Sequence, residues 1–179
     1  MPIYRPEDYD EVVSRIQEKL KARTIQMREP VSEETIAKFE NGHKIHLPES
    51  YRIFLLRLGN GCECMLDGFC LNRLDEVKFK DLSRPFPRKE PWLWEDDKRE
   101  DDIVEKEMEE VYCGEIELID IGCGMTYNLI VSGECAGEVW NFTDVGIQPC
   151  CERQDFLGWF ELWLDNQEDT DYFKDYIYE

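Results

Sequence analysis

The sequence predicts an α+β fold, and three features carry that prediction. Amphipathic helices fill the first third of the chain, glycine-punctuated strands follow from Gly114, and an aromatic helix closes the pattern near Asp155. The first helix runs from about Pro6 to Ala22. Tyr9, Val12, Val13, Ile16 and Leu20 recur along one face, and Pro6 suits a first turn, where a backbone N–H has no intrahelical partner to lose. The second starts at Ser32, whose hydroxyl suits an N-cap, carries Ile36 and Phe39, and ends near Asn41-Gly42. The third opens at Leu47-Pro48 and sets Tyr51, Phe54, Leu55 and Leu58 in one stripe. It stops at Gly59-Asn60-Gly61, where glycine admits a left-handed turn.

The middle of the chain is less regular. Gly68 to Leu71 reads as a short strand, Leu74 to Asp81 as a strand or a helical turn, and the proline-rich, basic stretch Ser83 to Pro91 as a loop. After Trp92-Leu93-Trp94, the segment Glu95 to Glu110 holds 10 acidic and 3 basic residues, a net charge of −7. It reads as a solvated helix or a mobile insertion. Three strands follow at Glu115 to Ile121, Thr126 to Ser132 and Gly137 to Thr143. Leu129-Ile130-Val131 implies burial on both faces, while Trp140 and Phe142 share one. Gly122-x-Gly124 and Gly133 supply the turns of a meander-like antiparallel sheet. The last helix, about Asp155 to Asp165, carries Phe156, Trp159, Phe160, Trp163 and Leu164 and should clamp that sheet, ahead of an acidic, aromatic tail from Asn166 to Glu179. With no internal repeat and no domain boundary, residues 1–179 read as one domain.

Composition narrows the function. A hydrophobic fraction of 42% with 12% aromatics buries a core and excludes a disordered chain. The longest apolar runs, such as Phe54-Leu55-Leu56, are too short to span a membrane, and Met1-Pro2-Ile3-Tyr4-Arg5-Pro6 lacks the pattern of an export signal. A cytoplasmic location is the expectation. The 8 cysteines, Cys62, Cys64, Cys70, Cys113, Cys123, Cys135, Cys150 and Cys151, contain no C-x-x-C pair, and several lie in apolar stretches where a thiol packs as a small hydrophobe. Against 41 acidic residues stand 21 basic ones, a formal net charge of −20. That field repels nucleic acid and anionic membranes, and it draws in basic partners.

Catalytic signatures are missing. The 2 histidines, His43 and His46, fall between the second and third helices without a third ligand in regular spacing. No G-x-S-x-G elbow, P-loop or post-strand G-x-G-x-x-G occurs, and Gly122-Cys123-Gly124 reads as a strand turn with no base beside the thiol. The expectation is a non-catalytic chain without cofactor or metal.

Leu47-Pro48-x-x-Tyr51-x-x-Phe54-Leu55 followed by Asn60-Gly61 resembles the N-terminal signature of the SUKH superfamily of Smi/Knr-type proteins. Gly114-Glu115-Ile116, the Gly122-Cys123-Gly124 turn, Tyr127-Asn128-Leu129-Ile130-Val131, Gly133, Gly137-Glu138-Val139-Trp140 and Phe156-x-x-Trp159-Phe160-x-x-Trp163-Leu164 extend the resemblance in order over about residues 30–165. The acidic insertion at about residues 92–111 departs from it, and the first helix lies outside its most diagnostic part.

The resemblance implies a single α+β domain with helices packed on a sheet. It also implies, as for bacterial members, an immunity protein that neutralises a cognate toxin, often nucleic-acid-targeting, in a polymorphic or contact-dependent competition system. Fungal relatives imply the alternative, a regulatory or scaffold protein without a toxin partner. The expected partner is a basic protein, with no direct contact to nucleic acid or membrane. Candidate contacts are Glu95, Asp96, Asp97, Glu100, Asp101 and Asp102, with Trp92 and Trp94 as apolar anchors beside them.

Overall fold

The computed structural model describes residues 4–63, 68–150 and 155–165. A 3-10 turn at Pro6–Asp8 leads into α1 (Tyr9–Ala22), which buries Tyr9, Val12, Val13, Ile16 and Leu20, the stripe expected of it. The Ser32 hydroxyl accepts a hydrogen bond from the Thr35 N–H at 3.2 Å and starts α2 (Glu33–His43). This helix passes Asn41-Gly42 and ends where Lys44 takes a left-handed conformation at φ 57°. The link onward is fixed by Glu40, a buried carboxylate that accepts from the Leu47 N–H at 2.8 Å and from Arg52 at 2.7 Å. Pro48 then opens α3 (Glu49–Arg57). At Gly61 (φ +76°) a Cβ would sit 2.3 Å from the Leu71 carbonyl oxygen, so the turn after α3 needs glycine for both space and conformation.

The chain forms a five-stranded antiparallel sheet in the order β1-β5-β4-β3-β2. Its strands are β1 (Trp92–Leu93), β2 (Glu115–Gly122), β3 (Met125–Ile130), β4 (Val139–Phe142) and β5 (Gly146–Pro149). The expected meander is β2, β3 and β4, with Gly122-Cys123-Gly124 turning the first corner. β3 ends before Ser132 because the Val131 and Ser132 N–H groups turn back to the Gly114 carbonyl. β4 begins at Val139 because Gly137, at φ 98°, and Glu138 belong to the preceding turn.

Both faces of the sheet are covered. Ile116, Leu129 and Val139 pack with Phe54, Phe156, Trp159 and Phe160 in the main core, together with α1, α3 and α5 (Phe156–Asp165). Phe54 meets Phe156 and Phe160 edge-on, with ring centroids 4.8 and 4.9 Å away. Glu161 pins α1 to α5: burial alone would raise its pKa, but bonds from Arg15, Lys19 and Tyr4 outweigh that and lower it to about 2. On the other face Ile130, Trp140, Phe142 and Ile147 form a second cluster with Phe86, Trp92, Trp94, Val104 and Val111. An α+β fold follows, with an N-terminal helical third and a clamping aromatic helix.

One segment differs from expectation, and two others take one of the forms expected of them. No strand forms over 68–71, and 74–81 opens with a helical turn in which the Glu76 and Val77 N–H groups donate to the Arg73 carbonyl; isolated bridges pair Cys62 with Leu71, Lys78 with Glu117 and Asp81 with Cys113. Side-chain acceptors close this region instead, as where Asn60 Oδ1 takes the Leu74 N–H at 2.8 Å. The segment Glu95 to Glu110 contains an ordered helix, α4 (Asp101–Glu110), seated through Val104 and Met108. Cys64, Cys151 and the tail from Asn166 to Glu179 lie outside the described residues. Among the described residues, no group of three or more His, Cys, Asp and Glu could hold a metal ion, and no helix is long and apolar enough to cross a membrane.

Candidate functional site

The acidic segment is built on the second core. β1 pairs with β5 at the sheet edge and delivers Trp92 and Trp94 inward, where their rings meet edge-on at 5.5 Å. The Trp94 Nε1–H donates to the Asp144 carbonyl at 2.7 Å, and the Trp92 Nε1–H to Asp97 Oδ2 at 2.9 Å. The Arg88 guanidinium lies over the Trp92 ring, 3.8 Å from its centroid, and pairs with Glu107 of α4. Arg99 joins both ends of the segment. Its Nε and Nη2 reach the two Asp97 oxygens at 3.0 and 2.8 Å, and its Nη1 and Nη2 reach the two Glu107 oxygens at 3.0 Å each.

These contacts sort the carboxylates into two groups. Hydrogen bonds from Arg99 first, and from Trp92 second, hold the Asp97 carboxyl well below the usual range; Glu107 is lowered chiefly by Arg99. Both therefore stay ionised and tied to the scaffold at any ordinary pH. Glu95, Asp96, Glu100, Asp101 and Asp102 are exposed, and among the described residues no cation pairs with them. Asp101 and Asp102 also sit in the first turn of α4, where the helix dipole favours negative charge.

The candidate contacts thus divide. Glu95, Asp96, Glu100, Asp101 and Asp102 share an exposed surface. Asp97 does not join them, because its side chain is 13% exposed and held by Arg99. Trp92 and Trp94 are 9% and 8% exposed, so the anchor role expected of them is corrected: they are core side chains that fasten the acidic segment to the sheet. They are buried in one cluster with Phe86, Val104, Trp140, Phe142 and Ile147, partners that no local pattern announces. Sequence reasoning missed Glu105 and Glu109, also exposed, although their i, i+4 spacing from Asp101 places all three along one helical stripe. It also missed Ile103, an apolar side chain left 43% exposed on α4.

The histidines do not form a site of their own. His43 packs between Phe39 and Phe79, with centroids 4.7 and 4.8 Å away, at the edge of a cavity of about 610 Å3, while His46 is exposed on a separate loop. Cys123 is the exposed apex of the β2–β3 turn at φ 54°. Comparison with family models, curated proteins and solved structures finds no match to this chain.

Proposed function

We propose that this chain is a non-catalytic protein-binding module of the immunity type, which neutralises a basic, nucleic-acid-targeting toxin domain by docking its α4 surface against it. One observation carries the reading. Within a single segment, Asp97 and Glu107 are locked inward by arginines, whereas Glu95, Asp96, Glu100, Asp101, Asp102, Glu105 and Glu109 face solvent without cationic partners among the described residues. A domain that grips nucleic acid presents clustered Lys and Arg. A fixed negative surface matches such a cluster in charge, speeds encounter and rejects acidic competitors. Ile103, exposed on the same helix, offers an apolar side chain beside the charged stripe. The resemblance to the SUKH superfamily supports the same reading.

The test takes the product of the gene directly upstream, which the proposal expects to be toxin-like. Co-expression of this chain should restore growth to cells making that product, and the two should co-purify. A Glu95→Lys, Asp102→Lys, Glu109→Lys variant should lose both effects while melting within a few degrees of the parent. Full protection by the variant, or no complex with the parent chain, contradicts the proposal.

A further inference from the structure

We propose that the cleft between one face of α2 and residues 73–75 binds a small carboxylic acid with an apolar ring, to which Lys38 supplies the counter-charge and the Asn60 amide a hydrogen-bond donor. The cleft encloses about 610 Å3, within the range of about 300–1,000 Å3 typical of small-molecule sites. Thr35, Phe39 and His43 recur at four-residue spacing, so one face of α2 forms a wall. Asn60, from the turn after α3, and Arg73, Leu74 and Asp75 complete the lining. Three separate parts of the chain therefore assemble it. It shares no residue with the α4 surface, and the two proposals stand or fall separately.

Asn60 is the decisive group. It is 8% exposed, and its Oδ1 accepts the Leu74 N–H at 2.8 Å. That bond fixes the amide, and among the described residues no acceptor takes a hydrogen from Nδ2. A buried amide seldom leaves both of its N–H groups unused, and Asn60 lines a cleft wide enough to admit an acceptor from outside. A second donor stands at the same cleft. The Ser32 and Thr35 hydroxyls lie 3.0 Å apart and share one O–H···O bond, while Ser32 Oγ also accepts the Thr35 N–H. Two hydroxyls with one bond between them leave one proton to donate.

Charge sets the sign of the ligand. Arg73 reaches the two Asp75 oxygens at 3.0 Å through Nε and 3.1 Å through Nη2, so this pair cancels. Lys38 is exposed, and among the described residues no carboxylate pairs with it. It is then the one lysine or arginine charge left uncompensated in the lining, and it calls for a monoanion although the chain as a whole carries a formal net charge of −20. A cation finds no seat here, because the lining carboxylate, Asp75, is already taken by Arg73. Pro30, Val31, Phe39 and Leu74 give the cleft its apolar wall, which suits a ring. Phe39 is held against His43 at 4.7 Å, and His43 against Phe79 at 4.8 Å, so the aromatic part of that wall is set before a ligand arrives.

The experiment titrates the full chain with sodium benzoate at constant ionic strength, beside benzamide, benzylamine and sodium acetate, and follows backbone amides by heteronuclear NMR. Benzoate should bind with a Kd of about 1 mM and move the signals of Thr35, Phe39, Asn60 and Leu74. Neutral benzamide, cationic benzylamine and ringless acetate should each bind at least about tenfold more weakly. Lys38→Gln should weaken benzoate binding about tenfold without lowering Tm, whereas Lys21→Gln, which removes the same charge from α1, should bind as the parent does. Asn60→Asp keeps the acceptor for the Leu74 N–H and sets a carboxylate in place of the amide donor, so benzoate binding should be lost. No response to benzoate at about 10 mM, a response to any of the three analogues as strong as to benzoate, or undiminished binding by Lys38→Gln overturns the proposal.

Discussion

Glu115 is a carboxyl group inside a sheet. It is 2% exposed, and it accepts from Asn128 Nδ2–H at 2.6 Å while Asn128 Oδ1 accepts from the Thr126 hydroxyl at 2.6 Å. Burial raises its pKa to about 7, against a smaller downward pull from the Asn128 bond. Because the folded value lies above the unfolded one, the native state holds the proton more tightly. Stability from this group is complete below about pH 4.5 and falls as pH rises to about 7, with a span on the order of 3 kcal/mol. Glu115→Gln keeps an acceptor for Asn128 and removes the charge. The variant should melt like the parent near about pH 4.5 and clearly higher at about pH 8, a difference read by circular dichroism melts at both values. Equal Tm shifts at the two pH values would show that the carboxyl does not titrate inside the sheet.

At the scale of elements, the short strand β1 decides whether the acidic segment is held. Gly146 of β5 faces it so closely that an added Cβ would stand 2.5 Å from the Trp92 carbonyl oxygen and 3.0 Å from Leu93 Cα, both backbone atoms. Gly146→Ala should therefore push β1 off the sheet edge and cost about 1–3 kcal/mol. Amide exchange from Trp92 to Arg99 should quicken while the β2–β3 ladder stays protected; unchanged exchange at Trp92 would rule this out. This is also where the sequence is hardest to read. α1, α3 and α5 are legible because each carries an unbroken apolar stripe over two turns or more, and β2 to β4 because glycines separate them. β1 and β5, with two and four residues, are too short to display alternation. Trp92 and Trp94 look the same in the sequence whether covered or exposed, since most of the cluster that buries them, from Val104 to Ile147, arrives later in the chain.

Over the whole molecule, a formal net charge of −20 is carried by a scaffold whose sheet is buried on both sides. Self-repulsion among so many carboxylates is relieved locally, where Glu40, Glu107 and Glu161 sit against arginines and lysines that also join separate elements. The α4 surface keeps its charge outward instead. The most direct test of the account is the association rate of this chain with the toxin domain as ionic strength rises from about 50 to about 300 mM. The rate should fall by at least about tenfold over that range, and the Glu95→Lys, Asp102→Lys, Glu109→Lys variant should start slow and show a flattened dependence. A rate indifferent to salt, or equally steep in parent and variant, would contradict it.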